Sequence, residues 1–401
     1  MQAILHIGDM KCGSKSIQGW LAANDSPLRG HGFHRAAATK HSFYDSGLAC
    51  YALDDGDLTA EPRREHAIHA TADLAGYRRS LEDRLAAEVT SLPTNARGMI
   101  FSHEQLLSLQ PSEVERLTGM LRRQFSGLRV IAYLRRQDRL FLSLWGQRLK
   151  THDPGDRFCE DLLIHRSYLH MLEAWERAVG RDNLAVRVFD RKAFVGGDLV
   201  ADFRLTAGIP EDPGYRVPAF RNESLDVASQ SLLLELREHL RRQHARERRR
   251  LLTRLQRKLR LGGRGPSGPL AFPAALSSFL WQHCTGSGLR PSRGWAERIV
   301  AACDMENEQI RHRYGPDRAE LFDRDFSEYP PSGGAPGEGS TSCDPEAMRR
   351  EPVAPPEPEH VEEAYRIVVG RRPTAAEIRA ARERAVNIAH LYATLLSASR
   401  V

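Results

Sequence analysis

The sequence predicts an α/β fold, and three observations support this prediction. Short apolar runs of strand length occur at residues 3–7, 98–102, 128–134 and 184–189. Segments with helical periodicity lie between them. Glycine or polar residues follow each run before the next helical pattern begins, an order that is typical of parallel strands joined by helices.

The first strand leads into a glycine-containing turn. Residues 3–7 are apolar apart from one histidine, Gly8 and Gly13 bound the turn, and a helical run extends from Ile17 to Leu21. The first amides of a helix lack partners and the helix dipole is positive there. Glycine permits the sharp turn and the close approach of a phosphate. This order therefore predicts an anion-binding cradle.

The turn differs from the loop that binds magnesium nucleotides. A Walker A loop has Gly, four residues, Gly, and then Lys and Ser or Thr. Gly8 and Gly13 have that separation, but Ser14 and Lys15 follow them. A lysine therefore stands where a hydroxyl should ligate Mg²⁺. The sequence instead has a lysine inside the loop, at Lys11.

The elements that follow are predicted in turn. Residues 24–60 are predicted to be loop, because Pro and Gly punctuate them. This loop, which contains His41, is either a substrate flap or a solvated connection. Helices are predicted over 74–89 and 112–125. Ser112 with a glutamate three residues later indicates a capping box for the second of these helices.

A second cluster of basic and hydroxyl side chains follows the strand at 128–134. Arg135 comes directly after this strand, and Ser143 lies eight residues later in a predicted helix that extends to Lys150. Open α/β sheets bind ligands at the carboxyl ends of their strands. The spacing therefore predicts that an arginine and a hydroxyl reach one phosphate.

The N-terminal loop resembles the 5′-phosphosulfate loop of sulfotransferases. In that loop Lys-x-Gly-(Thr/Ser)-(Thr/Ser) holds 3′-phosphoadenosine-5′-phosphosulfate (PAPS) without a metal, and here Lys15 replaces the second hydroxyl. The resemblance implies a PAPS site with no metal. Its residues would be Lys11, Cys12, Gly13, Ser14, Lys15 and Ser16.

Arg135 and Ser143 resemble the 3′-phosphate site of the same family. The opening Leu-His-Ile-Gly-x-x-Lys-x-Gly and a strand that ends Ser-x-Glu, at residues 102–104, resemble a bacterial sulfotransferase-like family. This resemblance covers about residues 3–330. It implies a doubly wound parallel sheet flanked by helices, the P-loop-like sulfotransferase fold, and transfer of a sulfuryl group from PAPS to a hydroxyl acceptor.

Sulfuryl transfer also needs charge neutralisation and a general base. By analogy with phosphoryl transfer, Lys11 is expected to neutralise charge on the bridging oxygen. The base must lie within hydrogen-bond reach of the acceptor hydroxyl. Glu104 is the first candidate because it follows a strand beside the loop, and His103 and His41 are the others.

The C-terminal part of the chain has a different composition. We predict a sulfotransferase-like domain over 1–329, a disordered linker rich in Pro, Gly, Ser and Glu over 330–358, and a helical segment over 359–401. The phrase at residues 364–373 resembles a short helical repeat appended to bacterial glycan enzymes. Together with the habit of the family, this favours a carbohydrate or glycoconjugate as acceptor.

A basic amphipathic helix is predicted over 237–264. Its charge suits contact with an anionic polymer or lipid surface, and a solvated helix face is the alternative. A nucleic-acid partner is not expected, and the sequence carries no prediction of oligomeric state.

Composition limits the class of protein. The 401 residues include 58 Lys and Arg against 52 Asp and Glu, a formal net charge of +6 that suits anionic partners. Six cysteines without a CxxC pair indicate reduced thiols rather than a zinc site or a disulfide framework. Without a long apolar run or a signal-peptide pattern, a cytoplasmic location is expected.

Two other functions are compatible with these features. A P-loop kinase or NTPase would use the same strand, turn and helix, but it needs the Walker lysine that is displaced here. A non-catalytic protein could hold an anionic polymer with a degenerate nucleotide loop and the basic helix. The lysine at position 15, in place of a hydroxyl, keeps that alternative open.

Overall fold

The computed structural model of the chain describes residues 1–42, 44–58, 60–150, 167–218, 225–256, 273–332, 345–349 and 354–399. The chain forms two compact units. The first consists of Met1–Leu140, Leu163–Arg221 and Ile299–Asp325, and the second of Phe141–Leu162, Asn222–Arg298 and Phe326–Val401. The predicted boundaries at 329 and 358 remain predictions.

A five-stranded parallel sheet forms the centre of the first unit. Its strands are β1 (Gln2–His6), β2 (Phe33–Arg35), β3 (Gly98–Ser102), β4 (Gly127–Leu134) and β5 (Leu184–Val188). Their spatial order is β2-β3-β1-β4-β5, so the chain winds from β1 toward both edges. This confirms the predicted α/β fold with a doubly wound parallel sheet flanked by helices, and the four predicted strands agree to within one residue at each end.

The helices are spread along the whole described chain. In chain order they are α1 (Ser14–Ala23), α2 (Asp25–Gly30), α3 (Ser46–Ala52), α4 (Glu61–Glu65), α5 (Thr71–Ser91), α6 (Pro111–Arg122), α7 (Gln137–Lys150), α8 (Tyr168–Val179), α9 (Leu199–Thr206), α10 (Val227–Gln256), α11 (Ala274–His283), α12 (Arg293–Ala301), α13 (Asp304–Tyr314), α14 (Pro358–Ala364), α15 (Ala375–Arg384) and α16 (Ile388–Ala398).

Strand register brings the candidate site residues to one edge of the sheet. The central strands are buried on both faces, as expected for a parallel sheet, and all five residues of β3 are buried. His6, the last residue of β1, pairs with Ser102 on β3 and Ile131 on β4. The segments that follow β1, β3 and β4 therefore leave the sheet at the same edge.

Two predictions in this unit were wrong in detail. Residues 24–60 are not a plain loop, because they contain α2, β2 and α3. β2 has only three residues, too short for a clear alternation pattern, and Pro27 lies in the first turn of α2, where proline is tolerated. Helix α6 begins at Pro111 rather than Ser112. Its capping carboxylate is Glu113, which accepts a hydrogen bond from the Gln110 amide at 2.8 Å.

A buried carboxylate connects the segment after β2 to the end of β3. Asp45 accepts hydrogen bonds from the Ser102 amide and the Thr39 hydroxyl, both at 2.7 Å. The Asp45 amide in turn donates to the Ser102 carbonyl at 3.1 Å. Burial raises the pKa of Asp45 to about 6. Asp45 thus holds the segment that carries His41 against the end of β3, two residues before Glu104.

The second unit has a helical core of its own. Side chains of α10, α11, α14 and α16 pack together around residues that include Leu232, Leu236, Leu276, Leu280, Val361 and Tyr392. The predicted helical segment at the C-terminus is present as α14, α15 and α16. Thr374 caps α15, because its hydroxyl accepts a hydrogen bond from the Glu377 amide at 3.2 Å.

Part of the predicted disordered linker is ordered. Residues 346–348 form one helical turn, and Met348 is fully buried in the core of the second unit. The composition of the segment does not predict this contact, because one apolar residue, Met348, makes it. Residues 333–344 and 350–353 lie outside the described part of the chain.

The predicted basic helix falls largely outside the described part of the chain. Helix α10 extends to Gln256, but side chains are described only as far as Gln243, and residues 257–272 are not described. Contact of residues 237–264 with an anionic surface therefore stays a prediction.

None of the helices in the described residues combines the length and apolarity needed to cross a bilayer.

We expect Asp45→Asn to change how stability depends on pH. Because burial raises the pKa of Asp45, the folded protein keeps a proton that the unfolded chain releases between about pH 4 and pH 6, so the stability contributed by Asp45 falls as pH rises through this range. The difference corresponds to about 3 kcal/mol. Asparagine can still accept a hydrogen bond from the Ser102 amide. In denaturant titrations at several pH values, the free energy of unfolding of the variant relative to that of wild type should therefore increase with pH. Parallel curves for the two proteins would contradict the expectation.

Candidate functional site

The loop between β1 and α1 has the backbone of an anion-binding nest. The Asp9 amide donates to the Tyr133 carbonyl at 3.1 Å, which extends the pairing of β1 with β4 into the loop. Lys11 then has φ 65° and Gly13 has φ 75°, both in the left-handed region, with Cys12 between them in an ordinary conformation. Alternation of this kind turns successive amides toward one point. A left-handed lysine is uncommon and marks a functional candidate.

Several polar groups of this loop lack a partner. In the described part of the chain no acceptor is found for the backbone amides of Lys11, Gly13, Ser14 and Lys15. The Ser14 hydroxyl is also unpaired, although the residue is only 5% exposed. Buried polar groups without partners are costly. The donors are therefore arranged as they would be for an anion at the N-terminus of α1.

Two constraints favour glycine at position 13: its left-handed backbone conformation and the side chains that lie close to its Cα. A Cβ added there would lie 2.3 Å from Leu199 Cδ2 and 2.8 Å from Phe189 Cε2. Side chains from α9 and from the segment after β5 thus close against the loop. Gly8 has a similar constraint, because a Cβ there would lie 2.8 Å from His6 Nε2.

The structure brings Lys11 and Arg135 together. The Arg135 guanidinium donates to the Lys11 carbonyl at 2.7 Å, and its carbon lies 5.3 Å from the centre of the Phe189 ring. Burial lowers the pKa of Lys11, and the charges of Lys15 and Arg135 lower it further, whereas Glu104 opposes the shift. Lys11 and Arg135, one residue from each predicted cluster, therefore lie at the same loop.

A buried tyrosine supports this arrangement. The Tyr168 hydroxyl donates to Asp9 Oδ2 at 2.9 Å and lies 3.1 Å from the Arg135 carbonyl. Tyr168 thus links the first residues of the loop to the end of β4. The sequence pattern predicts no role for Asp9 or Tyr168; an acidic residue inside a loop otherwise suited to anions is the one signal that points to Asp9.

Glu104 lies beside the same loop. It begins a short helical turn at the end of β3 and is partly buried. Burial raises the pKa of Glu104, while a hydrogen bond from Gln18 and the charge of Lys15 oppose the rise. Gln18, one turn into α1, was not singled out from the sequence. Its amide also donates to the Ser102 carbonyl at 3.3 Å.

His103 is buried and neutral. Burial lowers its pKa to about 4. The Gln105 amide donates to His103 Nδ1 at 3.4 Å, so the proton of the neutral ring is assigned to Nε2. His103 is thus equipped to donate a hydrogen bond rather than to remove a proton.

His41 is the most exposed of the three candidate bases. Its side chain is 47% exposed, and its Nδ1 lies 3.8 Å from a carboxylate oxygen of Glu65. Its backbone pairs with Tyr44 in an isolated bridge. Across the described residues, no three His, Cys, Asp or Glu side chains are grouped as they would be to hold a metal ion.

The remaining predicted residues have simpler environments. Cys12 is buried, and its amide donates to the Asp9 carbonyl at 3.1 Å. Ser16 is partly buried in the first turn of α1, where its amide bonds to the Gly13 carbonyl. Ser143 lies on α7, in the part of the chain that belongs to the second unit, and is partly buried. Its predicted role at a phosphate stays a prediction.

Comparison with known proteins shows limited similarity. No family model matches the chain. A protein from Archaeoglobus fulgidus described as an uncharacterized protein is 32% identical over 145 residues, which cover 35% of this chain and 39% of that protein. The alignment thus spans about two fifths of the curated relative's length.

Among solved structures, a sulfotransferase from Alicyclobacillus acidocaldarius is similar to 55% of this chain over 85% of its own length. The sequence identity is 14% and the TM-score is 0.36. At that TM-score the likeness carries no argument, so function must be argued from the site itself.

Gly13→Ala tests the constraint at the loop. We expect the substitution to lower the free energy of unfolding by about 1–3 kcal/mol, because the new Cβ meets Leu199 and Phe189 and the left-handed conformation disfavours alanine. Gly76→Ala is the matched control. Gly76 lies on α5, and a Cβ added there would have no neighbouring atom within 4 Å, so alanine should stabilise the protein by about 0.5–1 kcal/mol. Equal effects in denaturant titrations would show that Gly13 is not constrained.

Proposed function

We propose that this chain is a sulfotransferase that moves the sulfuryl group of PAPS to a hydroxyl acceptor. The supporting observation is the convergence of Lys11, Arg135 and the unpaired Ser14 hydroxyl on one anion-binding loop. Bound PAPS would supply the sulfuryl group. The chain's own residues would bind the donor, neutralise charge and remove the acceptor's proton.

The loop suits the 5′ end of the donor. Its four free amides and the hydroxyl of Ser14 offer hydrogen bonds to a phosphate, and Cys12, Lys15 and Ser16 complete the predicted set. Arg135, stacked against Phe189, is the proposed ligand of the 3′-phosphate. An arginine held in this way loses little side-chain entropy when it binds a phosphate.

Charge repulsion within the site favours an anionic ligand. Burial and two neighbouring cations lower the pKa of Lys11, so the charged form is costly in the empty loop. An anion beside Lys11 would relieve that cost and keep the amine protonated. The same charge would then stabilise the negative charge that develops on the leaving phosphate.

Glu104 is the proposed general base. Because burial raises its pKa, its proton affinity is closer to that needed near neutral pH than that of an exposed carboxylate. His103 is poorly suited to this role, since its Nε2 carries the proton. His41 remains the second candidate. A carbohydrate or glycoconjugate is the proposed acceptor class.

The two alternatives make different demands on the loop. A kinase or NTPase would need a hydroxyl for Mg²⁺ at position 15, where the chain has an exposed lysine. A non-catalytic anion-binding protein would need the cradle but no base. The raised pKa of Glu104 beside Lys11 favours the enzyme over the binding protein.

Ligand binding separates these functions. We expect adenosine-3′,5′-bisphosphate to bind more tightly than ADP with Mg²⁺ in calorimetric titrations, and PAPS to support sulfate transfer to a hydroxyl acceptor. Tighter binding of Mg-ADP would favour the kinase or NTPase. Binding of the bisphosphate without any transfer across a broad acceptor panel would favour the non-catalytic protein.

Lys11→Met should weaken binding of adenosine-3′,5′-bisphosphate about 10- to 100-fold, because one charge-assisted hydrogen bond is lost. Lys192→Met is the matched control, a lysine of the same unit whose side chain is 70% exposed. The control should bind as wild type does. Unchanged affinity in the Lys11 variant would remove this residue from the donor site.

Glu104→Gln should lower kcat about 10²- to 10⁴-fold and leave bisphosphate affinity unchanged, because only proton removal is lost. The acidic limb of the kcat/KM pH profile should also disappear in this variant, because that limb reports the deprotonation of Glu104. His41→Gln is the comparison. If the His41 variant loses the limb and the Glu104 variant keeps it, His41 is the base.

A further inference from the structure

A continuous polar surface adjoins Glu104 within the first unit. The Tyr44 ring centre lies 5.5 Å from that of His103, the neighbour of Glu104 in sequence. The Tyr44 hydroxyl donates to Glu65, which in turn lies near His41. We name this surface the acceptor-side cluster, and its members are His41, Tyr44, Glu65, His66 and His103.

Every side chain of the acceptor-side cluster carries a hydrogen-bonding group. His66 Nε2 lies 3.1 Å from the Ser46 hydroxyl, and the rings of His41 and His66 are 5.9 Å apart. His103 is only 5% exposed, and its Nε2–H has no acceptor among the described residues. The Nε2 atom is not among the fully buried unpaired atoms, so this donor of an otherwise buried ring is accessible to a polar ligand. The surface therefore suits a polyhydroxylated molecule better than an apolar alcohol.

Glu65 adds an ionised carboxylate to this surface. Burial opposes its ionisation, but the hydrogen bond from Tyr44 and the charge of His41 outweigh burial and lower the pKa of Glu65. Its Oε2 is buried without a hydrogen-bond partner among the described residues. Glu65 and Glu104 thus differ in environment: one stays ionised and the other is shifted toward protonation.

Negative charge accumulates on this side of the loop. Glu104 and Tyr44 both experience the charge of Glu61, an exposed residue at the start of α4. In the described part of the chain, none of Glu61, Glu65 and Glu104 has a lysine or arginine within ion-pair distance. The cations Lys11 and Lys15 act on Glu104 from the side of the loop, and a bound nucleotide would neutralise them.

We propose that the acceptor-side cluster selects a carbohydrate acceptor without negative charge, and prefers sugars that carry an amine. Glu65 of the cluster and the neighbouring Glu61, together with Glu104 once it is ionised, repel uronate or sulfate groups and attract ammonium groups. His103 Nε2–H and Glu65 supply a donor and an acceptor for sugar hydroxyls. This inference rests on the proposed sulfotransferase function and narrows its acceptor.

The test compares three oligosaccharides of equal length with PAPS as donor: an N-acetylated chito-oligosaccharide, its deacetylated form and an oligogalacturonate. At low ionic strength we expect kcat/KM for the deacetylated form to exceed that for the oligogalacturonate at least about tenfold, with the neutral form between them. Added salt should reduce this ratio. A preference for the oligogalacturonate, or equal use of all three, would overturn the proposal.

Two variants connect the preference to the cluster. Glu65→Gln and Glu61→Gln should each reduce the ratio of kcat/KM for the deacetylated form to that for the oligogalacturonate about threefold. Because Glu61 is exposed, its substitution does not disturb the core. Glu115→Gln, an exposed carboxylate on α6, is the control with the same change of charge and should leave the ratio unchanged. Equal ratios in all variants and wild type would exclude the cluster as the selecting surface.

Failure of this inference differs from failure of the proposed function. If none of the three oligosaccharides is sulfated by a protein that binds adenosine-3′,5′-bisphosphate, the acceptor proposal is wrong and the donor site stands. If the bisphosphate does not bind, the sulfotransferase proposal itself fails.

Discussion

The hydrogen bond from Arg135 to the Lys11 carbonyl holds the candidate site together. It joins the loop after β1 to the end of β4, two segments that are far apart in sequence. Lys11 can keep its left-handed conformation because its carbonyl is held in this way, and the loop amides then turn toward one point. Tyr168 strengthens the same connection by bonding to Asp9 and lying beside the Arg135 carbonyl.

The parts of the fold that could be predicted from the sequence are those with strong local signals. β3 is buried throughout and β4 is buried over its last five residues, so their positions followed from hydrophobicity. β2 could not be found in this way, because three residues at an edge carry too little pattern. The N-cap of α6 is Gln110, two residues before the predicted Ser112. Pro111 is a favoured first residue of a helix and indicates this earlier start.

The residues of the candidate site also fall into those that the sequence predicts and those that it does not. Lys11 and Arg135 were predictable because each follows a clear strand, and parallel strands end at one edge. Tyr44 and Glu65 were not predictable, since their contact depends on how α3 and α4 fold over the end of β3. No spacing rule predicts such a contact between side chains on separate short elements. Asp45, the residue that fixes this segment to Ser102, was equally hidden.

Net charge describes the whole chain and not its site. The excess of six positive charges predicts an anionic partner, and Lys11, Lys15 and Arg135 are cations at the loop. The adjoining surface has the opposite sign, because Glu61, Glu65 and Glu104 lie there without lysine or arginine ion-pair partners among the described residues. Lys11 and Lys15 do act on Glu104, but a bound polyanionic donor would neutralise these cations and leave the carboxylates of the adjoining surface to act on the acceptor. A basic chain can therefore select an acceptor that is neutral or cationic, since an acceptor responds to the charges within a Debye length rather than to the total.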